Sequence, residues 1–104
     1  AAVINPRFVK PLDLDVIAEY ARRVGVFVTF EDHVLMGGFG SAMLEALSDL
    51  RLVVPVVRIG WPDRFIEHGK VEALRAKYGL SVEAALEKLA PHLPHRARRG
   101  LVAR

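Results

Sequence analysis

Several short segments of this 104-residue chain gather side chains that can do chemistry. Glu31-Asp32-His33 sets two carboxylates beside an imidazole, and Glu67-His68 sets one of each. Imidazole titrates near neutral pH, so His33 and His68 are the candidates for general acid–base work. A metal site needs three or four converging ligands, which neighbours along a loop seldom supply. Neither cluster has the i, i+4 spacing that puts two ligands on one helix face. Ser41 is not set as a nucleophile, because Met43 stands where a nucleophile elbow requires glycine. No catalytic triad is visible. Gly37-Gly38-Phe39-Gly40 precedes a helical pattern and so offers backbone N–H groups to an anion. It fails the dinucleotide fingerprint, since Met43 also occupies the third glycine position, and the chain has no Walker Gly-Lys-Ser/Thr. Arg7, Lys10, Arg58 and Arg64 all fall next to strand ends or loops. Together they suit either a phosphate-reading patch or ion pairs at a domain or subunit boundary, the commoner use of such residues.

The elements that must position these groups follow from apolar spacing. Ala1-Ala2-Val3-Ile4-Asn5 reads as a short strand stopped by Pro6, which cannot donate to a sheet ladder. Asp13 is a good N-cap for a helix with Ile17, Tyr20, Ala21 and Val24 on one face, and Gly25 suits its left-handed end. Val26-Phe27-Val28-Thr29-Phe30 is a buried strand by its β-branched and aromatic content. A loop from Glu31 to Gly40 leads to a helix with Met43, Ala46, Leu47 and Leu50 inward, and Leu52 to Ile59 forms a third strand. After a loop at Gly60–Gly69, a helix runs from about Lys70 to Tyr78 and stops at Gly79. Ser81 caps another, with Val82, Ala85, Leu86 and Leu89 inward, and Pro91 ends it. The order β-α-β-α-β-α-α predicts an α/β fold, a mostly parallel sheet flanked by helices. Glu31 then lies at the carboxyl end of a strand, where open α/β sheets place their function. It also lies where a carboxylate can accept N–H groups from the glycine turn.

Composition bounds the rest. One domain of this length builds a single core, and 52% hydrophobic residues argue against disorder. The absence of cysteine excludes disulfides and thiolate metal sites and fits a reducing cytoplasm. No apolar run approaches the roughly 20 residues of a membrane span, and the N-terminus lacks a signal-peptide layout. Net charge is +3, but Arg96, Arg98, Arg99 and Arg104 lie in an acid-free tail; setting them aside leaves 11 basic residues against 12 acidic ones. The expected organisation is therefore a near-neutral domain over 1–91 and a basic tail over 92–104. No aromatic residue interleaves with the tail arginines, so neither nucleic acid nor a membrane is expected as a partner. Three strands make a thin parallel sheet, which predicts that its upstream strands are missing and that the chain is a fragment of a longer one.

Three segments carry a family resemblance: Asn5-Pro6-Arg7-Phe8-Val9-Lys10-Pro11-Leu12-Asp13, Met36-Gly37-Gly38-Phe39-Gly40-Ser41-Ala42, and Gly60-Trp61-Pro62-Asp63-Arg64-Phe65-Ile66-Glu67-His68-Gly69. In this order and spacing, over about residues 1–80, the chain resembles the C-terminal domain of the 1-deoxy-D-xylulose-5-phosphate synthases of the transketolase superfamily. Pro6 departs from the usual alanine. The β subunits of 2-oxo acid dehydrogenases share the first two turns but generally lack Pro-Asp-x-Phe-Ile-Glu-His-Gly, and transketolase proper matches less well. The resemblance implies a three-layer transketolase C-terminal-like fold with a five-stranded mixed sheet. It also implies that the strand preceding Ala1 is central, so that without it the first two strands of this chain separate. For the intact enzyme it implies condensation of pyruvate with D-glyceraldehyde 3-phosphate with loss of CO2, thiamine diphosphate and Mg2+ as cofactors, and a cytoplasmic homodimer. The catalytic and cofactor residues of the family belong to upstream domains. The resemblance therefore assigns this chain no catalytic, cofactor-binding or metal residue, and gives it a structural role. The rival is a stand-alone interaction module of the same fold or the C-terminal domain of a 2-oxo acid dehydrogenase β subunit, and a third option is an anion- or nucleotide-binding regulatory domain built on the Gly37–Gly40 turn.

Overall fold

A computed structural model of the chain describes residues 1–94. The basic-tail arginines expected from Arg96 onward lie outside the described residues. The elements run α1 (Leu14–Ala21), β1 (Phe27–Val34), α2 (Phe39–Asp49), β2 (Val56–Trp61), α3 (Val71–Lys77) and α4 (Val82–Leu89), closed by a 3-10 turn at Ala90–His92.

β1 and β2 pair in parallel, with Phe27 opposite Val56 and Phe30 opposite Ile59. Helices cover both faces of this pair, so the architecture has three layers. Ile17 of α1 and Met43, Ala46 and Leu47 of α2 pack with Phe27 and Val56 on one side. Val57 and Ile59 pack with Ala85, Val28, Leu80 and Leu89 on the other. Strands covered on both faces need apolar side chains at successive positions, which is why Val56-Val57 and Val26-Phe27-Val28 read as continuous runs rather than alternations. Ile59, only 1% exposed, is the most deeply buried large side chain.

The helix ends follow local chemistry. Asp13 accepts the Val16 N–H at 3.0 Å and Ser81 accepts the Ala84 N–H at 3.2 Å, so both act as the N-caps their sequence positions suggest. α1 stops sooner than expected, with Arg22 as its C-cap; Gly25 does not take the left-handed conformation, and Gly37 and Gly79 do. On α4, Ala85 is buried but Val82, expected to face inward, is exposed.

The strand expected at Ala1–Asn5 is not formed; among the described residues the sheet has two strands. The local reason is turn chemistry. The Asn5 side chain accepts the Arg7 N–H at 3.2 Å, the Phe8 N–H bonds the Pro6 carbonyl, and Arg7 takes φ 57°. A strand also needs a neighbouring edge to satisfy its backbone, and among the described residues no strand pairs with this segment. Val3 and Ile4 are left exposed.

Candidate functional site

Both strands end at the same side of the sheet, and the Gly37–Gly40 turn and the Pro62–Gly69 loop leave from that side. β1 runs further than expected, through Glu31, Asp32 and His33 to Val34. Its pairing is irregular there: between the pairs Phe30–Ile59 and Val34–Trp61, β1 advances four residues while β2 advances two. A bulge of this kind bends the strand and re-aims its side chains. Gly60 sits against it, and a Cβ there would lie 2.7 Å from Leu35 Cδ2 and 3.2 Å from the carbonyl oxygens of Glu31 and His33. Glycine is what allows the two backbones to approach this closely.

The bulge leaves Glu31 buried, facing the start of α2. The N-cap of α2, Gly38, has no side chain to cap with, and the Glu31 carboxylate accepts the Gly40 N–H instead. A carboxylate at this position meets both the unpaired N–H groups and the positive end of the helix dipole. A Cβ on Gly40 would lie 2.6 Å from Arg58 Cδ and 2.9 Å from Glu31 Oε1, so glycine is required for the contact. Glu31 Oε2 and Thr29 Oγ1 are buried without a hydrogen-bond partner.

Ser41 closes the turn. Its hydroxyl donates to the Leu35 carbonyl at 3.0 Å and accepts from the Gly37 N–H at 3.1 Å and from Arg58 Nη1 at 3.0 Å. Arg58 also donates to the Leu35 carbonyl, at 3.3 Å. With its hydrogen-bonding capacity used in this way, Ser41 is a turn-locking residue.

Of the other candidates, His33 lies against the turn, where a Cβ on Gly38 would clash with its ring, while Asp32 and Glu67 bond residues outside it. Asp32 accepts from Trp61 Nε1 at 3.0 Å and from Arg75 at 2.8 Å. Those bonds hold its carboxyl below the usual range. His33 is exposed, and its Nδ1 donates to the Val34 carbonyl at 2.9 Å. Glu67 bonds Lys77 and the Tyr78 hydroxyl, which lower its carboxyl to about 2 and raise both partners. The Tyr78 ring meets Trp61 at 5.9 Å and the Arg64 guanidinium at 5.4 Å. Glu67 is thus a latch between the Pro62–Gly69 loop and α3. Sequence spacing brought Glu67 and Asp32 forward as acids but missed their partners Arg75, Lys77, Tyr78 and Trp61. The available signal was a pair of aromatics, Trp61 and Tyr78, flanking a charged loop.

Glu31, Ser41 and Arg58 come together at the glycine turn, and Glu67 and Arg64 come together at Tyr78; His68, Arg7 and Lys10 join neither group. Among the described residues Arg7, Lys10, Arg58 and Arg64 form no ion pair within the chain itself. Arg58 serves a carbonyl and a hydroxyl, and Arg64 lies over a ring. No three His, Asp or Glu side chains among the described residues gather to hold a metal ion. An open groove of about 260 Å³ runs beside the turn, lined by Val9, His33, Val34, Met36, Gly37, Gly38 and Phe39. Thiamine diphosphate with Mg2+ requires converging oxygen ligands and free donors for a diphosphate. Here the groove walls are largely apolar and the start of α2 already faces the chain's own carboxylate, so these residues do not fit that cofactor. No helix among the described residues is long and apolar enough to cross a membrane.

The family model for the transketolase C-terminal domain matches residues 1–84. Three bacterial 1-deoxy-D-xylulose-5-phosphate synthases are among the similar curated proteins. The Acidobacterium capsulatum synthase is 70% identical over 93% of this chain, and the matching part is 16% of that protein. The Methylacidiphilum infernorum synthase is 60% identical over 91% of this chain and 15% of its own length. The Caldanaerobacter subterraneus synthase is 51% identical over 84% and 14% respectively. The chain therefore spans about one sixth of the length of such relatives. Among solved structures, a split-gene transketolase described as an inactive β4 tetramer superposes with a TM-score of 0.68 at 39% identity, over 81% of this chain and 26% of that one. The fold, the motifs and these matches agree that the chain belongs to the transketolase C-terminal domain family, in the branch of the 1-deoxy-D-xylulose-5-phosphate synthases.

Proposed function

We propose that this chain is the structural C-terminal domain of a cytoplasmic 1-deoxy-D-xylulose-5-phosphate synthase. Its role is to brace the catalytic domains of that enzyme rather than to touch substrate. The observation that carries the reading is the 70% identity to such a synthase along 93% of the chain, with all three loop motifs in order. The whole enzyme joins pyruvate to D-glyceraldehyde 3-phosphate with release of CO2, supplying isoprenoid, thiamine and pyridoxal precursors. It works as a homodimer, with thiamine diphosphate and Mg2+ held by its upstream domains. The chemistry visible in this chain is spent on its own turns: Glu31 on a helix start, Ser41 and Arg58 on the glycine turn, Glu67 on a loop latch. The domain body is 1–91, and the arginine-rich 92–104 segment is an appendage to it. The unpaired edge of the two-stranded sheet suits a further strand from the upstream chain.

The split-gene transketolase, described as an inactive β4 tetramer, favours one variant of this reading: a domain of this kind can belong to a chain of a split-gene enzyme. The test is a chimera in which this chain replaces the matching C-terminal segment of the Acidobacterium capsulatum synthase. Pyruvate-dependent condensation at a rate near that of the parent is expected, and truncation of the segment abolishes it. A chimera that folds and dimerises but has no activity overturns the proposal.

A further inference from the structure

Phe65 is the most exposed aromatic ring among the described residues, at 102% of its reference area. It does not hang from a loose segment. The loop that carries it begins at Trp61, whose ring contacts Tyr78, and the Arg64 N–H bonds the Pro62 carbonyl at 2.9 Å. Two residues beyond Phe65, Glu67 is bound to Lys77 and Tyr78 on α3. The Arg64 guanidinium, over the Tyr78 ring, makes no ion pair among the described residues. A ring held out to water by a braced loop has no packing role within the chain. Bracing does, however, reduce the ordering cost of inserting that ring into a partner. Aromatic and arginine side chains presented together are the usual centre of a protein interface.

We propose that Phe65 is a docking plug that enters an apolar socket, rimmed by a carboxylate facing Arg64, on the upstream part of the synthase. This rests on the structural-domain reading above. The occupant is chosen because a matching relative carries about five sixths of its length outside the matching segment, in the same polypeptide. That tethering gives the remainder a far higher effective concentration than any free partner. The apolar ring and the unpaired cation set the chemistry of the socket.

Hydroxyl-radical footprinting tests the plug directly, comparing the 104-residue chain with the full-length Acidobacterium chimera and using Tyr20 as the internal reference. The Phe65 oxidation rate is expected to fall about ten-fold in the chimera, as for a ring entering the desolvated centre of an interface. Phe65→Ala should lower the chimera's thermal midpoint and leave that of the 104-residue chain unchanged, and Phe65→Leu should recover part of the loss. Equal oxidation in both proteins overturns the plug. If the chimera is then active, the structural-domain reading stands without it; if the chimera is inactive, both fall.

Discussion

Glu31 ties a strand to a helix through one carboxylate, the role its place ahead of the glycine turn suggests. It is an acid at a strand's carboxyl end, beside a histidine and ahead of a glycine turn. Its carboxylate is consumed by the start of α2, nine residues further on. Glu31→Ala should cost about 2–3 kcal/mol, the loss of a charge-assisted hydrogen bond and of favourable charge at a helix N-terminus. Urea unfolding of the purified chain measures this, and a change below 0.5 kcal/mol, within the ordinary range of surface substitutions, counts against the role. Gly60→Ala should cost about 1–3 kcal/mol, since the new methyl must displace Leu35 and crowd two carbonyl oxygens. Glu67 gives a pH signature. Its folded carboxyl is depressed from 4.5 to about 2, so the latch contributes fully above pH 4.5 and is lost as the pH falls toward 2. Lys77 and Tyr78 are raised, so their side of the latch is present below their ordinary values and lost only as the pH rises through the raised ones. A carboxyl-detected NMR titration should show Glu67 as the most acidic glutamate of the chain and Lys77→Met returning it toward 4.5.

At the scale of elements, helices whose ends carry their own caps behave differently from α2, whose cap comes from a strand. Ser81 caps α4 locally, so Ser81→Ala should loosen that helix by about 1 kcal/mol. Amide hydrogen exchange should show faster exchange confined to residues 82–85. Loss of the Glu31 cap should instead be felt in both α2 and β1, because the bond ties two elements together. The same contrast explains which parts of the fold are legible. α1, α2 and α4 carry helical apolar spacing and are found within a few residues of their expected places. The strand at Ala1–Asn5 is absent despite its apolar run, because a strand is stabilised by a partner edge that local sequence does not contain.

For the molecule as a whole, two parallel strands between two helical layers make a small core. Among the described residues the buried apolar side chains fall into two clusters of four and three, one on each face of the sheet. Phe8, Phe30, Met36 and Phe65 stay exposed, apolar surface that contact with the proposed upstream domains would bury. The isolated 104-residue chain should therefore melt at a lower temperature than the same domain within the chimera, by differential scanning calorimetry with the domain's own transition followed through Trp61 fluorescence. Equal midpoints would mean that the domain gains nothing from its neighbours.

Sequence alone determined the family, through loop motifs whose residue types are dictated by local geometry. Pro and Asp terminate and cap, glycines admit close backbone, and these needs act over a few residues. Sequence also determined the helices and the two buried strands, because apolar periodicity encodes which face is covered. Sequence placed Asp13 as an N-cap and Glu31 ahead of the glycine turn, whereas tertiary structure alone decided the partners of Asp32, Arg58 and Glu67. It brought Arg58 to Ser41 across 17 positions and Arg75 to Asp32 across 43, and it turned Glu31 inward at a bulge. Those outcomes depend on strand register and on which edges are paired. Such long-range pairings are set by the packing of whole elements, so the same carboxylates that sequence offers as acids become caps and latches once the sheet is assembled.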